Sequence, residues 1–134
     1  MKIGIIGNGF VGNSIAFGFS PTHEIKIHDK DNKRNMNTIE EVLDCDFIFV
    51  AVPTPMNSDG SINLDVVKSA LTEVQTKNTK DNIIILKSTM VPGTVEKLQL
   101  DFPNLNIVFN PEFLTERTAK LDFLTQARIV LGGY

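Results

Sequence analysis

Short apolar runs alternate along the chain with stretches in which apolar residues recur every three or four positions. "IGII" at 3–6, "DFIFVAV" at 46–52, "NIIILK" at 82–87, "NIVF" at 106–109 and "RIVLG" at 128–132 read as strands. Most of them are apolar on both faces, as strands covered on two sides must be. "EIKIH" at 24–28 alternates and reads as a half-covered strand. Val11, Ile15 and Phe19 mark a helix over 10–19, ended by Ser20-Pro21, and "TIEEVLD" at 38–44 supports one or two helical turns. Leu64, Val67, Leu71 and Val74 mark an amphipathic helix with Asn63 as N-cap. Val95, Leu98 and Phe102 mark a short helix closed by Pro103, and "PEFLTERTAKLDFL" connects the last two strands. The alternation predicts an α/β fold, a doubly wound parallel sheet with helices on both faces, in one domain over residues 1–134.

Composition narrows the function classes. A chain of 134 residues suits one compact domain, and 42% hydrophobic with 22% charged residues is ordinary for a globular one. A net charge of −3 leaves no basic surplus to neutralise phosphates, so no nucleic-acid partner is expected. The longest apolar run, "FIFVAV", is far short of a membrane span, and the N-terminus lacks the features of a signal peptide. The single cysteine, Cys45, excludes an intrachain disulfide and fits a reducing compartment; the expected location is the cytoplasm. Cys45 reads as a buried structural residue, and His23 and His28 have no ligand-spaced partner, so no metal site is predicted.

The first chemical signal is "KIGIIGNGFVG" at 2–12, three glycines between a strand and a helix. Gly7 would permit the tight turn, Gly9 the approach of a pyrophosphate to the backbone, and Gly12 close packing of helix on strand. Asn8, Phe10 and Val11 complete the turn, whose N–H groups open towards phosphate. Asp29 ends the next strand, 22 positions beyond Gly7, where a carboxylate would accept hydrogen bonds from ribose hydroxyls. This is the Rossmann pattern, and an aspartate there favours NAD over NADP. Lys33 and Arg34 follow closely, either facing the cofactor or belonging to a solvated loop.

"VPTP" at 52–55, "KSTMVPGT" at 87–94 and "NPEFLTE" at 110–116 bring hydroxyls, prolines and carboxylates to later strand ends. Together with the glycine segment and "RIVLGG", they resemble the N-terminal domain of the UDP-glucose/GDP-mannose dehydrogenase family over nearly the whole chain. The resemblance implies two NAD-dependent hydride transfers that take the C6 alcohol of a nucleotide sugar to a carboxylate, within nucleotide-sugar metabolism and polysaccharide biosynthesis. It also implies cofactor contacts at Val11, Asp29, Arg34, Val52, Pro53, Thr54, Thr89 and Glu116. Glu112, Phe113, Leu114, Thr115 and Glu116 would touch the sugar nucleotide. Thr89 and Glu112 would be catalytic, holding a water or moving a proton near C6. Glu112 reads alternatively as an acid at a helix start after Pro111.

Three departures accompany the resemblance, the smallest being the order "STMVPGT" at 88–94 where the family usually has "STVPVGT". Only residues 30–45 fill the stretch before the "VPTP" strand, where the family is longer. The family's substrate-binding domain, with its catalytic cysteine and a lysine and asparagine near the sugar, is not among these residues; a separate chain carrying that domain is one partner the resemblance implies, and a module without turnover is the alternative.

Overall fold

A computed structural model describes residues 1–133. The strands are β1 (Lys2–Ile6), β2 (Glu24–His28), β3 (Phe47–Val50), β4 (Ile83–Leu86), β5 (Asn106–Phe109) and β6 (Gly132–Gly133). The helices are α1 (Phe10–Phe19), α2 (Ile39–Leu43), α3 (Asp65–Lys77), α4 (Thr94–Asp101) and α5 (Ala119–Thr125). One sheet runs β2-β1-β3-β4-β5-β6, parallel from β2 through β5.

The continuous apolar runs become the buried centre because successive strand residues face opposite layers. Ile48, Val50, Ile84 and Leu86 point to the layer of α2, α3 and α4, where Val42, Leu71 and Leu98 meet them. Phe49 and Ile85 point the other way, with Ile3, Ile5 and Ile27, under α1 and α5, whose Phe19 and Phe123 rings pack edge to face. The sheet is therefore doubly wound.

The last predicted strand differs from the structure. Only Gly132–Gly133 pair, antiparallel to β5, while Ile129, Val130 and Leu131 are exposed. The preceding connection contains a 3-10 turn at Glu116–Thr118 and α5, which packs beside α1; the chain thus returns against the direction of β5 and meets only its end. The sheet is parallel with an antiparallel edge, an arrangement common in this architecture. At α3 the first helical residue is Asp65 and the N-cap is Leu64, without a side-chain cap, rather than Asn63; Asn63 sits one residue earlier, its Oδ1 accepting the Asp65 N–H at 2.8 Å.

The short connection from β2 to β3 closes the outer edge of β2 without a further strand. The Ile27 N–H donates to Asn37 Oδ1 at 3.0 Å, and the Asn37 N–H donates back to the Ile27 carbonyl at 2.8 Å. At Ile27 the otherwise open edge is thereby satisfied by one asparagine. Thr38 and Glu41 then form a capping box that starts α2. Among the described residues no helix is long and apolar enough to cross a membrane.

Candidate functional site

The chain leaves β1 in two directions: α1 leads to β2 on one side, and the later strands lie on the other. Such a switch point opens a crevice beyond the carboxyl ends of the strands. Those ends are level, with His28, Ile6, Val50, Leu86 and Phe109 paired in one row. Each following residue is pinned to its neighbour: Gly7 N–H to His28 O, Ala51 N–H to Ile6 O, Lys87 N–H to Val50 O and Asn110 N–H to Leu86 O, all 2.8–2.9 Å. A cleft of about 480 Å3 lies over this row.

The glycine turn forms one wall. Gly7 has φ +97°, and a Cβ on it would come within 2.5 Å of the Ala51 carbonyl. A Cβ on Gly12 would stand 1.9 Å from the Gly7 carbonyl, so the start of α1 can pack on the turn only without a side chain. Around Gly9 nothing lies within 4 Å, which leaves the backbone open at the N-terminus of α1. That opening, beside unpaired first-turn N–H groups, suits a phosphate.

Asp29 connects this wall to β2. Its Oδ2 accepts the Asn8 N–H at 2.6 Å and its Oδ1 accepts the Asp31 N–H at 2.8 Å. The Asn8 side chain turns away and donates to the Arg34 carbonyl. Each carboxylate oxygen keeps acceptor capacity for a hydroxyl.

The inner end is built from three strand ends. Thr54 follows β3; Ser88 Oγ donates to the Val52 carbonyl at 2.6 Å, fixing the "KST" segment beneath exposed Thr89. Glu112 lies in an irregular segment, its Oε2 accepting the Leu114 N–H at 2.6 Å. The nearest helical turn begins at Glu116, so Glu112 is not a first-turn helix acid. Lys87 is 4% exposed, with Nζ donating to Asn110 Oδ1 at 2.9 Å. Burial pushes its ammonium down to about 8, and the Glu112 carboxylate opposes that shift.

Of the residues singled out in the sequence, Gly7, Gly9, Phe10, Val11, Asp29, Arg34, Val52, Pro53, Thr54, Thr89 and Glu112 line this cleft. Asn8 and Gly12 shape the turn from behind. Phe113 and Leu114 instead border a second hollow with Asp122 and Arg128. Thr115 donates its N–H to Asp122, and Glu116 stands outside the cleft at the start of the 3-10 turn. Sequence reasoning did not single out Lys87, or the face of α3 formed by Val66, Ala70 and Glu73. Both left a signal: a lysine directly after a fully apolar strand, and a second stripe at i, i+4, i+7 beside the core stripe.

Comparison with known proteins decides the family. The model of the UDP-glucose/GDP-mannose dehydrogenase family NAD-binding domain matches residues 25–134. The chain belongs to the UDP-glucose/GDP-mannose dehydrogenase family. It is an NAD-binding domain of that family. A UDP-glucose 6-dehydrogenase of Haloferax volcanii is 33% identical, over 99% of this chain and 41% of that protein; one from Campylobacter jejuni is 29% identical, over 98% and 42%. Among solved structures, GDP-mannose dehydrogenase of Pseudomonas aeruginosa superposes with TM-score 0.87 at 22% identity, over 100% of this chain and 41% of that one. A UDP-glucose dehydrogenase of Pyrobaculum islandicum gives 0.81 at 26%, over 98% and 40%. The chain spans about two-fifths of the length of these family members. The Haloferax alignment extends over 176 positions against the 134 residues here, so that relative carries extra residues inside the matched span.

Proposed function

We propose that this chain is the cofactor-binding part of a nucleotide-sugar 6-dehydrogenase of the UDP-glucose or GDP-mannose type. The observation that carries this reading is the single row of strand ends that gathers the glycine turn, Asp29, Thr54, Thr89 and Glu112 around one cleft in a chain of this family. The residues fit a dinucleotide: an open backbone at Gly9, a helix N-terminus beside it, and a carboxylate with free acceptor capacity at the end of β2. NAD, when bound, supplies the hydride acceptor. The chain's own residues do the rest. The α1 N-terminus binds phosphate, Asp29 holds ribose hydroxyls, and Val52, Pro53 and Thr54 flank the path to the inner end. Glu112 takes the proton of the alcohol, through a water held by Thr89, since removal of hydride from an alcohol also requires removal of its proton. The 112–116 segment contacts the sugar nucleotide, with Phe113 to Glu116 completing that contact outside the cleft. A further domain, in the same or a separate chain, holds the nucleotide half of the substrate, and the setting is cytoplasmic nucleotide-sugar metabolism feeding polysaccharide biosynthesis.

Calorimetry of the purified chain with NAD, NADP, UDP-glucose and GDP-mannose tests the reading. NAD is expected to bind more tightly than NADP; no binding of NAD, or equal binding of both, would overturn it.

A further inference from the structure

We infer that Lys87 is a further positioning residue of this site: its ammonium fastens the segment that carries Glu112 to the end of β4, and its charge discriminates between a cationic and a neutral ring bound at the inner end of the cleft. The inference rests on the reading that NAD(H) occupies this cleft.

The geometry is a chain of ties. The Lys87 N–H donates to Val50 O, and its Nζ donates to Asn110 Oδ1 at 2.9 Å. Asn110 in turn donates its N–H to Leu86 O and its Nδ2 to Val130 O. One side chain thus joins β4, β5 and the approach to β6, two residues before Glu112. A buried ammonium is costly unless paired, and Asn110 is a neutral acceptor. The charge that acts on Lys87 is Glu112. The other titratable and charged groups of the cleft stand elsewhere: His28, Asp29, Lys30 and Arg34 on β2 and the loop after it, and Glu73 on α3. Lys87 is therefore the cation of the inner end, and burial brings its titration down to about 8.

A consequence follows from linkage. Oxidised nicotinamide carries a positive ring and reduced nicotinamide a neutral one. Protonated Lys87 repels the first and is indifferent to the second. By reciprocity, whatever lowers NAD+ affinity when Lys87 is charged also makes bound NAD+ favour the uncharged amine. NAD+ affinity should therefore climb as pH rises through the titration of Lys87, while NADH affinity stays level.

The experiment measures NAD+ by calorimetry and NADH by fluorescence on the 134-residue chain, between about pH 7 and 9.5, above the range of an ordinary imidazole. NAD+ binding should strengthen about fivefold across that range, as a one-unit downward displacement of the Lys87 titration by the cofactor requires. K87M should bind NAD+ at the stronger level throughout, and K87R at the weaker level throughout, since a guanidinium keeps its charge. In parallel, the Lys87 Cε signal is titrated by NMR without cofactor, and E112Q should lower its midpoint. A wild-type pH profile retained in K87M, or a Lys87 midpoint unmoved in E112Q, would overturn the inference. Failure of the wild-type chain to bind either nucleotide would instead overturn the reading of the cleft, and the E112Q titration would still decide whether Lys87 and Glu112 are paired.

Discussion

The backbone N–H of Asn8 donates to Oδ2 of Asp29 across 2.6 Å, so the glycine turn and the end of β2 are held together by the carboxylate read as the ribose ligand. Asp29 therefore has a structural role beside the binding role we propose for it. Hydrogen bonds to a charged group contribute about 1.5–3 kcal/mol, so Asp29→Ala should weaken NAD binding roughly ten- to a hundredfold. Asp29→Asn retains an acceptor for Asn8 and should lose less. Calorimetric titration of both variants checks this; unchanged affinity in Asp29→Ala would remove the residue from the ribose role.

Gly9 and Gly12 separate binding from folding. A methyl at position 9 meets nothing within 4 Å, whereas one at position 12 would overlap the Gly7 carbonyl. Gly9→Ala should unfold like the wild type in urea and lose NAD affinity by more than about tenfold, because the methyl occupies the phosphate's approach. Gly12→Ala should lose at least ~2 kcal/mol of stability from overpacking. Equal unfolding midpoints for the two variants would contradict the separation.

The fold was legible because it is written in periodicity. The runs at 3–6, 82–87 and 106–109 are strands within a residue or two, and the stripe Val67, Leu71, Val74 is the buried face of α3. Where the signal failed, the edge of the sheet was involved. Ile129, Val130 and Leu131 look like a buried strand but are exposed, because none of the described residues covers them and the return from α5 runs antiparallel. The site was legible as far as backbone chemistry dictates residue type: the glycine turn, the acid after β2, the polar strand ends. Lys87 was not, because a lysine after an apolar strand ordinarily reads as a solvated strand end, and its burial depends on β5 and Asn110 closing over it. The position of Glu116 depended on where an irregular segment starts its helical turn, which spacing alone does not fix.

Lys87 also gives the fold a dependence on pH. Its folded titration lies near 8, below that of an exposed lysine near 10.4. Between those values the unfolded chain holds the proton and the folded chain does not, so stability rises with pH across that window. The penalty is fully present below the folded value and amounts to about 2–3 kcal/mol. Lys87→Met should therefore be more stable than the wild type at neutral pH by that order, with the difference shrinking towards about pH 10. Urea denaturation of both proteins at several pH values reads it directly; a difference that does not change with pH would show that Lys87 titrates in the folded protein as it does in the unfolded chain.

The 134-residue chain by itself should not convert UDP-glucose or GDP-mannose to the corresponding acid. The first oxidation needs C6 held against the cofactor, and orientation of this kind supplies roughly 7–11 kcal/mol of the barrier reduction. Only the segment from Glu112 to Glu116 is available here to hold the sugar, and Phe113 to Glu116 do not line the cleft. The second oxidation, in the mechanism the family resemblance implies, needs a thiolate at the aldehyde carbon. The only thiol is Cys45, which is 1% exposed, donates to the Glu41 carbonyl and precedes β3 at the edge of the sheet away from the cleft. Burial, and then the Asp44 charge, push that thiol up, so it is a poor nucleophile at neutral pH. Cys45 should be silent to a thiol reagent until the protein is unfolded. NADH formation with either sugar nucleotide should stay at the level of a blank, and addition of a chain carrying the family's second domain is the condition under which turnover should appear. Sustained formation of the acid by the pure chain, kept in Cys45→Ser, would show that the fold completes its chemistry without a second domain or a thiol.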